Sequence, residues 1–198
     1  VQLSYKNPNI PQTLISEINK YYIYAIIKQS VFIYSIIVLF FLEYNLTFTM
    51  IMILSSVESF GGMITNVPAG ILADTWGRKK TTILGNIISA IGIALYIIYP
   101  VFIFFIFAEL ILVIGASSNH GAALMYSKFK KYGVDEHYID YEAFKDSKLY
   151  IISSIIGITA TIIYNQNIYL PFIMSIVALL LSNLYLFRLE EEKGTTEI

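Results

Sequence analysis

The sequence predicts an all-α membrane protein with six transmembrane helices, and three observations carry that prediction. The 198 residues are 57 % hydrophobic and only 14 % charged, with a mean hydropathy of +0.67. A soluble domain carries about 25 % charge, and a water-soluble fold of this length could not hide so much apolar surface. The apolar residues gather into six long runs, each near the roughly 20 residues that cross a bilayer. Short polar connectors alternate with cationic ones between these runs.

The first run, Tyr22 to Leu42, follows a polar segment ending in Lys20 and stops at Glu43-Tyr44-Asn45. The second, Leu46 to Ala73, ends in the corner GILADTWGRKK, Gly70 to Lys80. The third spans Thr81 to Tyr99 and the fourth Val101 to Met125, separated only by the turn at Pro100. The fifth, Leu149 to Tyr164, is short and is expected to begin inside the preceding loop. The sixth, Ile168 to Phe187, follows Asn165-Gln166-Asn167.

The connectors after the first, third and fifth spans hold no Lys or Arg. Those on the other side hold nearly all the cations: Lys20, Arg78, Lys79, Lys80, Lys128, Lys130, Lys131, Lys145, Lys148 and Arg188. The positive-inside rule then places both termini in the cytoplasm. The expected organisation is a cytoplasmic segment over 1–20, a six-helix bundle over 21–188 with a cytoplasmic loop at 127–147, and a cytoplasmic tail over 189–198. Heavy use of Ile, Asn, Lys and Tyr suits an AT-rich bacterial genome, which makes the expected location the inner membrane.

Several function classes drop out. Net charge is −1, and the lysines of 127–147 are interleaved with Asp135, Glu136, Asp140, Glu142 and Asp146, so a nucleic-acid surface is not expected. The absence of cysteine removes disulfides, thiol chemistry and Cys-based zinc sites. No phosphate-cradling loop and no nucleophile with a neighbouring base is present, so neither an enzyme nor a bound cofactor or metal is expected. His120 and His137 lack the neighbours that would make either a metal ligand.

The corner carries the most information. Glu58, Gly62, Asn66, Gly70 and Asp74 recur every four residues and form one helix face. Gly77 permits a tight turn, and Arg78 and Lys79 anchor it beside Asp74. GILADTWGRKK resembles the G-x-x-x-D-x-x-G-R-K signature between the second and third spans of the major facilitator superfamily, matched by Gly70, Asp74, Gly77, Arg78 and Lys79. The preceding NVPAG is similar to the Pro-x-Gly entry of one bacterial branch. The resemblance runs over roughly Leu14 to Glu190 and takes in KYYIYAIIKQS and the acid of FAELIL. Where that branch reads S-G-x-x-E-A-x-x-x-D, this chain has SNHGAALMYSK, with no acid near Ala122 or Ser127 to meet the corner arginine.

The resemblance implies one half of a two-bundle secondary transporter working by alternating access, the second bundle being a further six spans or another copy. It implies that the first and fourth spans line the central cavity and that the second and fifth meet the other bundle. Asp74, Arg78 and Lys79 would hold the cytoplasmic gate. Charges inside the bilayer need a reason to be there, which singles out Glu109, Glu58 and Lys28 as substrate- or proton-binding candidates. Glu109 sits about 12 Å into the fourth span at ~1.5 Å per residue. Lys28 has the competing option of snorkelling to the membrane surface. The implied partners are a small-molecule substrate, a proton, the bilayer and the second six-helix half. The competing functional class is a non-transporting membrane interaction subunit that keeps the fold.

Overall fold

A computed structural model describes residues 11–190 and contains eight α-helices among them. Residues 1–10 of the segment expected over 1–20, and 191–198 of the tail expected over 189–198, lie outside the described residues. The helices are α1 (Gln12–Gln29), α2 (Ile37–Glu43), α3 (Phe48–Trp76), α4 (Arg78–Ile98), α5 (Phe102–Ser117), α6 (Gly121–Lys131), α7 (Tyr138–Gln166) and α8 (Leu170–Phe187). Five stretches are long and apolar enough to cross a membrane: α3, α4, Phe102–Lys131, Asp135–Gln166 and α8.

The first expected span is the exception. It is not one helix: α1 stops at Gln29, a 3₁₀ turn covers Ile33–Ser35, and α2 supplies only seven further residues. A break inside lipid strands backbone donors that water cannot reach. Ser175 on α8 resolves this, its hydroxyl oxygen accepting from the Phe32 N–H at 2.8 Å and the Ile33 N–H at 3.2 Å. The same hydroxyl donates to the Pro171 carbonyl at 2.7 Å. Ser175→Ala takes the acceptor from both donors, one of them on the buried Ile33, so a loss of about 1–3 kcal/mol is expected in denaturant unfolding.

The fourth expected span is also interrupted, at Ser118–His120, between α5 and α6. The fifth does begin early: α7 starts at Tyr138 and absorbs much of the 127–147 loop, while α6 runs through Lys131 into its other end.

Small residues decide which helices touch. A Cβ on Gly115 of α5 would lie 2.6 Å from the Gly85 carbonyl of α4 and would collide with Ser89. A Cβ on Gly92 would lie 2.9 Å from the Leu112 amide. The Gly85-Ser89-Gly92 stripe is therefore the seam between α4 and α5, the most extensive pairing in the bundle. Gly115→Ala is expected to cost about 1–3 kcal/mol through overpacking, whereas Gly70→Ala, with nothing within 4 Å, is expected to leave the unfolding midpoint unchanged.

Two apolar cores close the bundle. Near the Gly77 end, Leu14, Tyr21, Tyr24, Met125, Phe129 and Leu186 pack α1 and α6 against α8. Toward the other end the core is aromatic: Phe40 lies 4.4 Å from Phe172 and 5.9 Å from Phe105 between ring centroids, and Tyr96 lies 5.7 Å from Phe105. Asn86 of α4 donates to Asn183 at 2.8 Å and Ser182 at 3.2 Å, tying α4 to α8 through buried amides and a hydroxyl.

Candidate functional site: a charged corner and a polar cavity

At the corner, α3 runs into α4 through a single residue, Gly77, at φ 111°. That region is one that side-chain-bearing residues rarely adopt, which explains the glycine. Arg78 then reaches across to α6 and donates from Nη1 to the Ala123 carbonyl at 3.0 Å. The acid absent from this helix end is thus replaced by a main-chain acceptor in its first turn. Arg78 Nη2 meets Asp74 Oδ1 at 3.5 Å, but the Asp74 side chain is 70 % exposed, so the pair adds little to the stability of this bundle. Lys79 donates to the Phe187 carbonyl at 3.0 Å and the Leu189 carbonyl at 2.6 Å, closing the C-terminal end of α8.

The break between α5 and α6 fastens to the same corner. The His120 amide donates to Thr82 Oγ1 at 3.0 Å, and His120 Nε2 donates to the Ala69 carbonyl at 3.1 Å. A carbonyl can only accept, so that ring nitrogen carries the proton. His120 is therefore a joint between α3, α4 and α6 and sits ahead of α6, outside both helices.

The four-residue ladder on α3 faces away from its own bundle. Glu58, Asn66 and Asp74 are exposed, and Gly62 and Gly70 have nothing within 4 Å of a built Cβ. Packing onto α5 uses the neighbouring face, where a Cβ on Gly61 would meet Val113 at 3.1 Å and Thr65 shares a 2.7 Å hydrogen bond with Ser117.

Glu109 of α5 is buried, 7 % exposed, and the Tyr96 side chain of α4 interacts with its carboxyl. Glu58 acts on it electrostatically from α3. Tyr34, carried on the 3₁₀ turn and 63 % exposed, senses both acids. The charge of Glu58 reaches Glu109, but among the described residues no hydrogen bond or ion pair joins the two. Lys28 is elsewhere. It lines a cavity of about 460 Å³ between α1, α4, α5, α7 and α8, together with Tyr24, Gln29, Asn86, Asn119 and Lys145. Glu109 does not line that cavity.

One charged cluster escaped the sequence reading. Glu17 of α1, 5 % exposed, accepts from Lys128 of α6 at 2.7 Å, from Lys20 at 2.6 Å and from the Glu190 N–H at 3.1 Å. It joins α1, α6 and the segment after α8.

The comparisons with known proteins agree with the corner. The model of the Major Facilitator Superfamily matches residues 21–131, more than half of the chain. The chain belongs to the major facilitator superfamily. No curated protein and no solved structure matches it. Members of the superfamily are transporters of small molecules embedded in a membrane, and the long apolar helices agree with a multi-pass membrane protein. The matched segment contains the corner Gly70–Lys79, the broken first span and both acids, Glu58 and Glu109.

Proposed function

We propose that the chain is the amino-terminal half of a secondary active transporter of the cytoplasmic membrane, with both termini cytoplasmic, that moves a small molecule by alternating access coupled to protons. The observation that carries this is the exposed face of α3. An acid and an amide, Glu58 and Asn66, stand open in the middle of an apolar helix. Facing lipid, a mid-span carboxylate is expensive, so that face is satisfied by water in a pathway or by a second bundle. Burial supports the same reading. Only 11 % of the apolar stretch of α3 and 17 % of that of α7 are buried, against 39–44 % for the other three. The second bundle is expected on α3 and α7.

In this mechanism Glu109 takes up and releases the coupling proton. Glu58 and Tyr34, close enough to act on it, relay the change to the pathway surface. Asp74, exposed beside a structurally engaged Arg78, bonds helix ends of the second bundle when the gate is shut and lets go when it opens. Transport in vesicles containing the full two-bundle assembly tests this. Asp74→Asn is expected to lower turnover by about tenfold, one lost charge-assisted contact, with an unchanged unfolding midpoint for this bundle. Unchanged transport in Asp74→Asn overturns the gate role.

A further inference from the structure

The cavity beside α1 has a chemistry that the acids do not explain. Its one ammonium without a counter-ion is Lys28: among the described residues no hydrogen bond or ion pair engages it, and the charge that acts on it is the like charge of Lys145. Lys145 itself is satisfied, paired with Glu142 and with Asp146 Oδ1 at 3.3 Å. Asp146, the acid in the cavity wall, is thus spoken for.

Neutral polar groups line the same space, the amides of Asn86 and Asn119 and the hydroxyls of Tyr24 and Ser89, with Asn86 Nδ2 engaged by Ser182 and Asn183 and the Tyr24 hydroxyl donating to Asn119 Oδ1 at 3.4 Å. A volume of about 460 Å³ falls within the range of small-molecule sites. Tyr24 and Tyr34 give it flat aromatic walls. The Lys28 side chain lines this half-open space.

We infer that this cavity is the substrate site and that it selects a small organic anion, whose acidic group Lys28 neutralises while the tyrosines hold its apolar body. This rests on the transport reading above and narrows its substrate class. An uncompensated cation in a low-dielectric site gains most from a carboxylate that completes its hydrogen bonding, and a cationic ligand would add a third positive charge to Lys28 and Lys145.

The test uses three probes of one shape: benzoate, benzyl alcohol and benzylammonium. Equilibrium binding is read by saturation-transfer NMR on the full two-bundle assembly in phosphatidylcholine nanodiscs, where no anionic headgroup competes. Benzoate is expected to bind saturably and at least about tenfold more tightly than either companion, as one charge-assisted hydrogen bond implies. Lys28→Gln is expected to remove that preference and Lys28→Arg to retain it, both with wild-type unfolding midpoints. Absent saturable benzoate binding, a preference for benzylammonium, or a full benzoate preference in Lys28→Gln each overturns the proposal. No gradient enters the measurement, so the proton-coupling and gating roles stand or fall on the vesicle assays alone.

Discussion

Lys128→Met is expected to be the most damaging single substitution to stability, lowering the unfolding free energy by about 3–5 kcal/mol. Lys128 is 2 % exposed and its ammonium lies 2.7 Å from Glu17. Removing one partner leaves a buried carboxylate with less than its full set of donors, which costs far more than the intact pair contributes. The contact joins positions 111 residues apart, so α6 is expected to loosen from α1 as well. The double variant Glu17→Gln/Lys128→Met is expected to recover part of the loss, since no buried charge is then left over. Circular dichroism during denaturant unfolding in detergent measures both.

The same cluster sets an acid limit. Burial alone would push the Glu17 carboxyl up, but hydrogen bonds from Lys128, Lys20 and the Glu190 N–H outweigh it and hold the group below its usual 4.5. A carboxyl lowered on folding contributes its stabilisation fully above the unfolded value and loses it as pH falls through the folded one. Stability is therefore expected to be level from neutrality down to about pH 5 and to fall in stronger acid. That acid-dependent fall is expected to shrink in Lys128→Met.

Glu109→Gln is expected to have the largest effect on transport, lowering gradient-driven accumulation by about tenfold or more while leaving the fold intact. Glutamine keeps the shape and the interaction with Tyr96 but cannot exchange a proton. Counterflow moves substrate both ways with no net proton transfer, so it is expected to survive. Glu58→Gln is expected to show the weaker form of this split, because Glu58 is exposed and acts on Glu109 from a distance. Equal loss of counterflow and accumulation in Glu109→Gln would assign that residue to substrate binding or folding instead of coupling.

The corner was legible in the sequence because its determinants are local. Gly77 is needed for a backbone angle, Asp74 and Arg78 are one helical turn apart, and the third-span small residues sit at helix spacing. The break in the first span was not legible. No Gly or Pro marks it, only the polar triplet Lys28-Gln29-Ser30 before Val31, and the hydroxyl that satisfies the freed donors sits on α8, 143 residues on from Phe32. Lys128 reads in sequence as one more cytoplasmic-side cation for the same reason, its partner Glu17 lying 111 residues away. The break before α6 left a signal that the apolar count obscured: Ser118-Asn119-His120-Gly121 is a run of poor helix formers. Placing Lys28 in a cavity required knowing that α1 ends one residue later.

The central claim is that the open face of α3 meets a second six-helix bundle. These 198 residues hold no cysteine, so with any cysteine of the second bundle replaced, a single introduced one reports alone. Met63→Cys on that face and Ile91→Cys on α4 are 77 % and 51 % exposed in this bundle. With the gene in its native context, a bifunctional thiol-to-amine photocrosslinker in intact membranes is expected to join Met63→Cys to helices of a second bundle, whether downstream spans or another copy, and to leave Ile91→Cys linked only to lipid. Lipid adducts alone at both positions would contradict the account.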